Sequence, residues 1–381
     1  MPTTCSPKSP AAAASRASPP RKRDADDSRC VSASTASSKR QRCTLAPQRS
    51  SAGDAAVVQR SVRAKIAYTV APGAGERAGI VVSGAPKGGA VKFPLDPETF
   101  RAQHGSIPLP RGVTEDDAWV NVLAPVETEV RDARGLGFSL DAVGFELCDD
   151  PAGAAEAAAG GDAYYRLVEA AAMRATGATR ATAYCHARRS AAAATRAAKS
   201  GAGYAGYVHS DQSDASWSAR LPELLASPEA WAASGPPGVP REAALACVAA
   251  RRCAVVSAWR YVGPAAKCRS SHLAVLDHST CDHARDLLPF SIVANGTFGG
   301  NFRLRHDARA ARDHKFYYYP EMTPDELLLF TVCDSAHPAR ATTFKGAPSV
   351  TVLHTAFADP TADPDEPPRE SVDVRVLLSW D

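Results

Sequence analysis

The chain has ten cysteines, but no two of them are separated by only two residues. Zinc ribbons and thioredoxin-like redox sites are built on such pairs, so neither is supported as the basis of function. The cysteines are scattered, and the first residues lack the apolar core of a secretory signal peptide. This pattern predicts reduced thiols in an intracellular protein, most simply a cytoplasmic one, rather than a disulfide scaffold.

Long apolar runs and a strong net charge are missing too. The most hydrophobic stretch, residues 243–259, is interrupted by Arg251 and Arg252, so we expect no membrane span. A net charge of +3 gives no reason to expect a nucleic-acid partner. The G-x-S-x-G motif of serine hydrolases is absent. With 381 residues, 45% of them hydrophobic, the chain can bury one large core or two modest ones.

Residues 1–60 are rich in Ser, Ala, Pro, Lys and Arg and poor in large apolar side chains. Such a segment buries too little apolar surface to offset its ordering entropy, which predicts a disordered tail. Two basic clusters, residues 21–23 and 39–42, are typical of a nuclear import signal or of a solvated tail, and the composition favours the tail. A transit peptide is a third alternative. We expect one catalytic domain over residues 61–381.

The periodicity of the remaining sequence is mixed. Residues 62–70 alternate as a strand does, and residues 73–79 form a turn rather than a dinucleotide loop. Helix-forming residues predict helices over 152–178, 221–233 and 241–253, and an alanine-rich helix or lid over 187–199.

One motif carries chemistry. His209 and Asp211 are two residues apart, so on a strand both side chains would point the same way. His354 ends a β-branched run, residues 349–354, that predicts a second strand. Two imidazoles and one carboxylate form the facial triad of non-haem Fe(II) oxygenases, which leaves three coordination positions open.

The last predicted strand offers cations downstream of His354. Arg369, Ser371, Asp373 and Arg375 alternate and would share one face. Iron in such a triad would bind 2-oxoglutarate through two oxygens, and the far carboxylate of that acid needs a cation. Arg369 with Ser371 is the first choice and Arg375 the second. By itself H-x-D is a weak pattern that occurs by chance in many chains.

Five groups of segments strengthen the interpretation as an Fe(II) oxygenase. Among them are VHSDQS at 208–213, FYYYPEMTPDELLLF at 316–330 and RESVDVR at 369–375. The complete set comprises residues 120–122, 130–134 and 138–147; 163–165, 176–178 and 184–189; 208–213; 258–260 and 273–277; and 316–330, 333–335, 354–360 and 367–375. In this order they resemble a fungal and bacterial hydroxylase/desaturase family. That family includes the small subunit of the cephamycin 7α-methoxylating system, gibberellin desaturase-like proteins and fungal endoperoxide-forming enzymes.

The resemblance covers residues 62–378. It implies a mainly β fold with helical insertions (α+β), built on a double-stranded β-helix core of the jelly-roll, cupin-like type that holds Fe(II) and 2-oxoglutarate and reacts with dioxygen. The chain departs from the family at Ser257, at residues 261–262 and at residues 187–189. These departures leave the substrate open.

Other polar residues are weaker candidates. Those that could contact a substrate are His186, Arg188, Trp259, Arg260, Asp277 and Tyr318. The alternative for each is a purely structural role in the core or on the surface. The densest group of possible metal ligands comprises His272, Asp277, His278, Cys281, Asp282 and His283. Its spacing fits no standard zinc site, so we do not expect a second metal there.

The hypothesis from sequence is an Fe(II)/2-oxoglutarate-dependent oxygenase that hydroxylates or desaturates a small organic molecule of secondary metabolism. His209, Asp211 and His354 would bind the metal, and the downstream arginines would bind the co-substrate. Two alternatives remain open: a non-catalytic binding or scaffold protein that keeps the fold, and a metal-bound isomerase or epimerase. The oligomeric state is also open.

Overall fold

A computed structural model describes residues 6–7, 60–82, 90–91, 118–159, 161–190, 204–211, 227–234, 240–294, 297–334 and 351–381. Its strands are β1 (Ser6–Pro7), β2 (Ser61–Thr69), β3 (Glu76–Val82), β4 (Ala90–Val91), β5 (Ala118–Val120), β6 (Leu123–Asp132), β7 (Phe145–Asp149), β8 (Arg180–Ser190), β9 (Arg252–Tyr261), β10 (Leu273–Leu276), β11 (Leu287–Ala294), β12 (Thr297–Leu304), β13 (Phe316–Tyr318), β14 (Glu326–Asp334), β15 (His354–Ala356) and β16 (Glu370–Trp380). Its α-helices are α1 (Leu140–Val143), α2 (Pro151–Ala159), α3 (Gly161–Thr176), α4 (Pro228–Ser234), α5 (Arg241–Ala249), α6 (His283–Asp286) and α7 (Ala310–Asp313). His278–Thr280 is a 3₁₀ turn.

The major sheet is antiparallel throughout, in the order β1-β8-β16-β9-β14-β7. Strand β16 lies near its centre and pairs along its length with β8 on one side and β9 on the other. The residues of β16 between the strand ends are nearly all buried, because both of its faces are covered. Its side chains are therefore held in fixed positions.

The opposite layer consists of two shorter sheets, ordered β15-β10-β13-β6-β2 and β12-β11-β3-β4, with β5 beside β3. The irregular segment 204–211 connects them. His209 forms one antiparallel bridge with His354 of β15 and another with Arg303 of β12. This segment therefore lies where the two shorter sheets meet.

Apolar side chains fill the space between the layers. Trp259 and Phe330 of the major sheet pack with Val275 and Tyr317 of the opposite layer. Helices cover the outer face of the major sheet, where Val168 and Ala172 of α3 pack against Val372 and other alternate residues of β16. An antiparallel major sheet, packed on a layer of two mixed sheets and covered by helices outside, confirms the predicted mainly β fold with helical insertions.

Several predicted elements differ in detail. Strand β8 continues to Ser190, so the start of the predicted alanine-rich helix or lid is strand, and residues 191–199 lie outside the described residues. The helix predicted over 241–253 ends at Ala249, and β9 begins at Arg252. In both cases pairing with β16 outweighs the helix propensity of alanine, because tertiary pairing satisfies the backbone of a whole strand.

The other element predictions came closer. The helix over 152–178 is two helices, α2 and α3, and the helix over 221–233 is seen as Pro228–Ser234. The strand over 62–70 is confirmed as β2. His354 begins β15 rather than ending a strand, and residues 204–211 form no strand but have a single bridging position at His209. Apart from Ser6–Pro7 and Arg60, the predicted tail lies outside the described residues.

The cysteines follow the prediction only in part. Cys148, Cys268, Cys281 and Cys333 form no disulfide. Cys253, in contrast, is disulfide-bonded, so the expectation of reduced thiols is wrong at this position. A scattered pattern does not exclude an isolated bridge, because a disulfide depends on spatial and not sequential proximity. Within the described residues, no helix combines the length and the apolar character needed to cross a membrane.

Candidate metal and co-substrate site

His209 and His354 are joined through their backbones. The amide of His209 donates to the carbonyl of His354 at 3.0 Å, and the amide of His354 donates to the carbonyl of His209 at 2.8 Å. Directly paired residues of antiparallel segments project on the same side. Their ring centroids are therefore only 4.5 Å apart. This reciprocal pair fixes both imidazoles at one place in the fold.

The tautomer of both rings follows from their second hydrogen bonds. Nδ1 of His209 lies 2.9 Å from the carbonyl oxygen of Tyr207, and Nδ1 of His354 lies 3.2 Å from that of Val352. A carbonyl oxygen only accepts, so each Nδ1 must carry the proton. Each Nε2 then has a free lone pair, which is the arrangement that a metal-binding histidine requires.

A close backbone approach supports Val352. A Cβ atom added to Gly144 would lie 2.5 Å from Val352 Cγ2, and Gly144 has a φ of 87°. A side chain at this position would clash and would strain the backbone. The glycine therefore lets the α1–β7 turn pack directly against the residue that orients His354.

Asp211 completes the cluster. One ligand atom from each of His209, Asp211 and His354 can be chosen so that all three lie within 4.8 Å of one another. Oδ1 of Asp211 is 3.6 Å from Nε2 of His354. Oδ2 of Asp211 is buried and accepts no hydrogen bond from any residue that the structure describes. The structure thus brings the three predicted ligands together and leaves one carboxylate oxygen available.

Burial keeps His209 neutral. Desolvation, helped by the nearby His354 and Arg303, lowers the pKa of His209 well below its ordinary value. At neutral pH the imidazole is therefore unprotonated on one nitrogen. A metal ion does not have to displace a proton from it.

Arg375, the second choice for binding the co-substrate, already forms ion pairs with carboxylates of the protein. Its guanidinium lies 2.5 Å from Oδ1 of Asp211 and also pairs with Asp373. It donates to Oγ of Ser257 at 2.8 Å, and that hydroxyl in turn donates to Asp373. A guanidinium held by two carboxylates is poorly available to a third. In this structure Arg375 orients Asp211 instead.

Arg369, the first choice, has a different environment. It is buried, and its guanidinium carbon lies 4.2 Å from the ring centroid of Tyr204 and 5.3 Å from that of Trp259. Nη1 donates to the carbonyl of Ser271 at 2.5 Å. Within the described part of the chain, no carboxylate forms an ion pair with Arg369, and Nε has no acceptor. Burial lowers the pKa of Arg369 to about 10, so it stays charged at neutral pH.

Ser371 lies two residues along β16, on the same face as Arg369. Its Oγ is buried and has no hydrogen-bond partner among the residues described. Buried polar atoms in proteins are normally satisfied, so unsatisfied donors on one face indicate a missing acceptor. A carboxylate fits this pair of donors.

Three of the weaker candidates lie on the wrong face of the major sheet. His186 accepts from or donates to the Tyr165 hydroxyl at 2.8 Å, and Arg188 donates to the carbonyl of Ala157, so both point toward the helices. Arg260 is fully buried in an ion pair with Asp150. The structure therefore does not bring these three side chains to the metal-ligand cluster.

The other three candidates lie in different parts of the fold. Trp259 lies on the inner face of β9 and contacts Arg369. Tyr318 packs against His272 and Phe357 on the outer side of its sheet. Asp277 accepts from the amide and the hydroxyl of Ser279 and so caps the 3₁₀ turn. Only Trp259 is near the candidate site.

Three residues near the site were missed. Ser257 and Arg189 lie on the inner face, because they are paired with Arg375 and Ser371 of β16. Counting alternate positions from Trp259 would have found Ser257. Arg189 needed the register of β8 against β16, and Arg303 comes from a distant strand that carries no recognisable motif. Arg189 is influenced by Asp373 and Asp211, which oppose the lowering of its pKa by burial.

A second group of possible ligands is Cys281, Asp286 and His314, also within 4.8 Å. Both nitrogens of His314 are occupied, by the Tyr68 hydroxyl at 3.3 Å and by Oδ2 of Asp286 at 3.1 Å. Of the cysteine- and histidine-rich sequence group at residues 272–283, only Cys281 belongs to this second group of possible ligands.

A family model described as an oxidoreductase/YMDC permease-like domain matches residues 109–379. The chain belongs to this family. The family match spans most of the chain, including both histidines, Asp211 and the β16 residues. A curated relative, the hydroxylase/desaturase efuI of Hormonema carpetanum, is 31% identical over 137 residues, which is 34% of this chain and 42% of the relative. The match therefore spans less than half of the relative's length.

The fold is similar to that of solved structures of the iron and alpha-ketoglutarate-dependent endoperoxidase NvfI. One structure, of a variant, covers 84% of this chain and 99% of NvfI with a TM-score of 0.58. Another covers 84% and 98% with a TM-score of 0.56, and both share 21% identity with this chain. These likenesses establish the jelly-roll fold. Together with efuI they confirm the resemblance predicted from the five groups of segments.

Proposed function

We propose that the protein is an Fe(II)/2-oxoglutarate-dependent oxygenase that hydroxylates or desaturates a small organic molecule of secondary metabolism. The observation that carries the proposal is the state of the two histidines. Both Nδ1 atoms are committed to backbone carbonyls, and both Nε2 atoms remain available beside Asp211. The names of efuI and NvfI support the same chemistry.

The proposed ligands of Fe(II) are His209, Asp211 and His354. Two neutral imidazoles and one carboxylate suit Fe(II), and they leave positions for 2-oxoglutarate and dioxygen. Arg375 would hold Asp211 through Oδ1, so that Oδ2 is free to bind the metal. When bound, Fe(II) and 2-oxoglutarate would together supply the oxidising power that removes hydrogen from a substrate C–H bond.

The proposed co-substrate contacts are Arg369 and Ser371. The far carboxylate of 2-oxoglutarate would accept hydrogen bonds from Nε of Arg369 and Oγ of Ser371, two buried donors on one face that lack acceptors among the described residues. Trp259 and Tyr204 lie against the guanidinium and limit the access of water to it. Exclusion of water strengthens the charge-assisted contact.

The test is an anaerobic titration of the purified protein with Fe(II) and 2-oxoglutarate, monitored by the weak visible metal-to-ligand charge-transfer band. We expect the band in the wild-type protein, no band in His209→Ala, and a band in Arg369→Ala only at higher 2-oxoglutarate concentration. Arg180→Gln, a change at an exposed arginine, is the matched control and should titrate as the wild type does. A folded wild-type protein that gives no band would overturn the proposal and favour a non-catalytic binding protein.

The same titration separates a second alternative. An isomerase or epimerase would bind the metal without consuming 2-oxoglutarate. Metal binding with no 2-oxoglutarate-dependent band would therefore favour that class. Formation of succinate on exposure of the complex to air would support the oxygenase.

A further inference from the structure

Arg303 is the most unusual side chain near the metal ligands. It lies on β12, opposite His209 in an antiparallel bridge, and it helps to lower the pKa of His209. Its side chain is fully buried. Bridged residues project to the same side, so Arg303 shares the side of the segment that presents His209. It therefore belongs to the wall of the candidate site.

The contacts of Arg303 leave its charge without a counter-ion. Nε donates to Oδ1 of Asn301 at 3.2 Å. Nη1 and Nη2 are buried and find no hydrogen-bond acceptor within the described residues, and no described carboxylate forms an ion pair with this arginine. The two acids at the site, Asp211 and Asp373, are both paired with Arg375. A buried charge normally has a partner, because desolvation of an isolated one is costly.

Two aromatic rings account for only part of this arrangement. The guanidinium carbon lies 3.6 Å from the ring centroid of Tyr207 and 3.9 Å from that of Phe290. Such rings contact the face of a guanidinium, whereas its N–H donors point outward in its plane. The rings therefore restrict the orientation of the group. Apart from the nearby Tyr207 hydroxyl, the terminal donors are left to be satisfied by something else. Burial lowers the pKa of Arg303 to about 10, and Tyr207 partly opposes this effect, so the group is a cation at neutral pH.

From this geometry we infer that Arg303 binds a carboxylate of the organic substrate, so the substrate is an organic acid held beside the metal ligands. The inference rests on the proposed function, because it assigns the co-substrate to Arg369 and the substrate to Arg303. A carboxylate has the planar shape that accepts two parallel hydrogen bonds from Nη1 and Nη2. The Tyr207 and Phe290 rings would give the apolar body of the acid a surface to contact.

The test compares monocarboxylic acids with their primary amides, which have nearly the same shape but no charge. The probes are benzoic, cinnamic and cyclohexanecarboxylic acid and the three matched amides. Binding is measured by calorimetry on protein loaded with Zn(II), a redox-inactive replacement for Fe(II), and saturated with 2-oxoglutarate. We expect at least one acid to bind at least about tenfold more tightly than its amide, as the loss of a charged hydrogen bond implies.

Variants assign the preference to Arg303. Arg303→Gln should abolish the difference between acid and amide, Arg303→Lys should retain part of it, and the matched control Arg180→Gln should retain all of it. If Arg303→Gln does not fold, the wild-type comparison and Arg303→Lys still decide the matter. The inference would be overturned if acids and amides bound equally well, or if no acid bound to the wild type. It would also be overturned if Arg303→Gln kept the full preference, or if the control lost it.

The closing measurement distinguishes this inference from the proposed function. Arg303→Gln should give the Fe(II)/2-oxoglutarate band at the wild-type 2-oxoglutarate concentration. Loss of that band in Arg303→Gln but not in Arg369→Ala would make Arg303 the co-substrate residue and overturn the inference. If the wild-type protein gives no band, the proposed function fails, whereas the acid preference can still be measured on the Zn(II) protein without 2-oxoglutarate.

Discussion

Two groups of three possible metal ligands occur among the residues that the structure describes, and each brings its ligand atoms within 4.8 Å. In the group of His209, Asp211 and His354, no described residue outside the group bonds to Nε2 of either histidine. In Cys281, Asp286 and His314, the hydrogen bonds are made within the protein. Asp286 accepts from the Arg285 side chain, from the Asp282 amide and from His314.

Proximity is therefore not sufficient to indicate a metal site. A metal ligand needs a free lone pair, and the position of the proton on a histidine decides whether it has one. Burial also raises the pKa of the Cys281 thiol, so the thiolate that would bind a metal is disfavoured. We interpret the second group as structural.

Metal affinity should depend on only one of the two groups. His354→Ala removes a ligand and should lower the affinity for Fe(II) or Zn(II) by more than about a hundredfold. Even the loss of a residue that only holds a ligand in place costs about 10–100-fold. Cys281→Ala should leave the affinity unchanged. Competition with a chromophoric chelator measures both. A large loss in Cys281→Ala would show that the buried group holds the metal.

Stability should depend strongly on the second group. Asp286→Ala leaves Arg285 and buried His314 without their acceptor and should lower the free energy of unfolding by about 3 kcal/mol. Denaturant titration measures the change, with Asp149→Ala as the control at an exposed position. Metal affinity of the folded variant should stay at the wild-type value. A stability loss no larger than that of the control would argue against a structural role.

Arg375 should act on the metal through Asp211. Arg375→Gln removes the partner of Oδ1 and should weaken metal binding by about 10–100-fold, the range expected for a residue that orients a ligand. The chelator competition used for His354 measures this, with Arg180→Gln as the control. Affinity equal to that of the control would contradict an orienting role for Arg375.

Acid sensitivity should come partly from the segment of the second group. Burial lowers the pKa of His283 to about 4, below the ordinary value of 6.5. Between these pH values the unfolded chain binds a proton that the folded chain does not. The contribution is therefore fully favourable above about pH 6.5 and is lost as the pH falls toward 4.

His283→Gln should accordingly reduce the loss of unfolding free energy between pH 7 and pH 4.5 by roughly 2 kcal/mol. Denaturant titrations at the two pH values measure it, and His306→Gln, at an exposed position, is the control. An unchanged pH dependence would mean that His283 can be protonated without unfolding.

The sequence itself was sufficient for the fold class, and it named all three members of one group of possible metal ligands. His209 and Asp211 are two residues apart, and an extended backbone places them together whatever the rest of the fold does. Strand alternation also placed Arg369, Ser371, Asp373 and Arg375 on one face, and the apolar packing of Val372 on the opposite side confirms it.

Only the tertiary structure decided which side of each neighbouring strand faces the site. Alternation is a local property, but it does not say which set of alternate residues points inward; that depends on register and on what covers the other face. Helix α3 covers the face that carries His186, so the inner positions of β8 include Arg189 instead.

Arg260 and Trp259 show the same division on β9, where the arginine points to Asp150 and the tryptophan to Arg369. The tertiary structure likewise determines which of the arginines have carboxylate partners. Arg375 meets two carboxylates, whereas Arg369 and Arg303 meet none among the described residues. The sequence determined which charged groups exist, and the packing of three sheets determined which of them remained unpaired, because a charge is satisfied by neighbours in space.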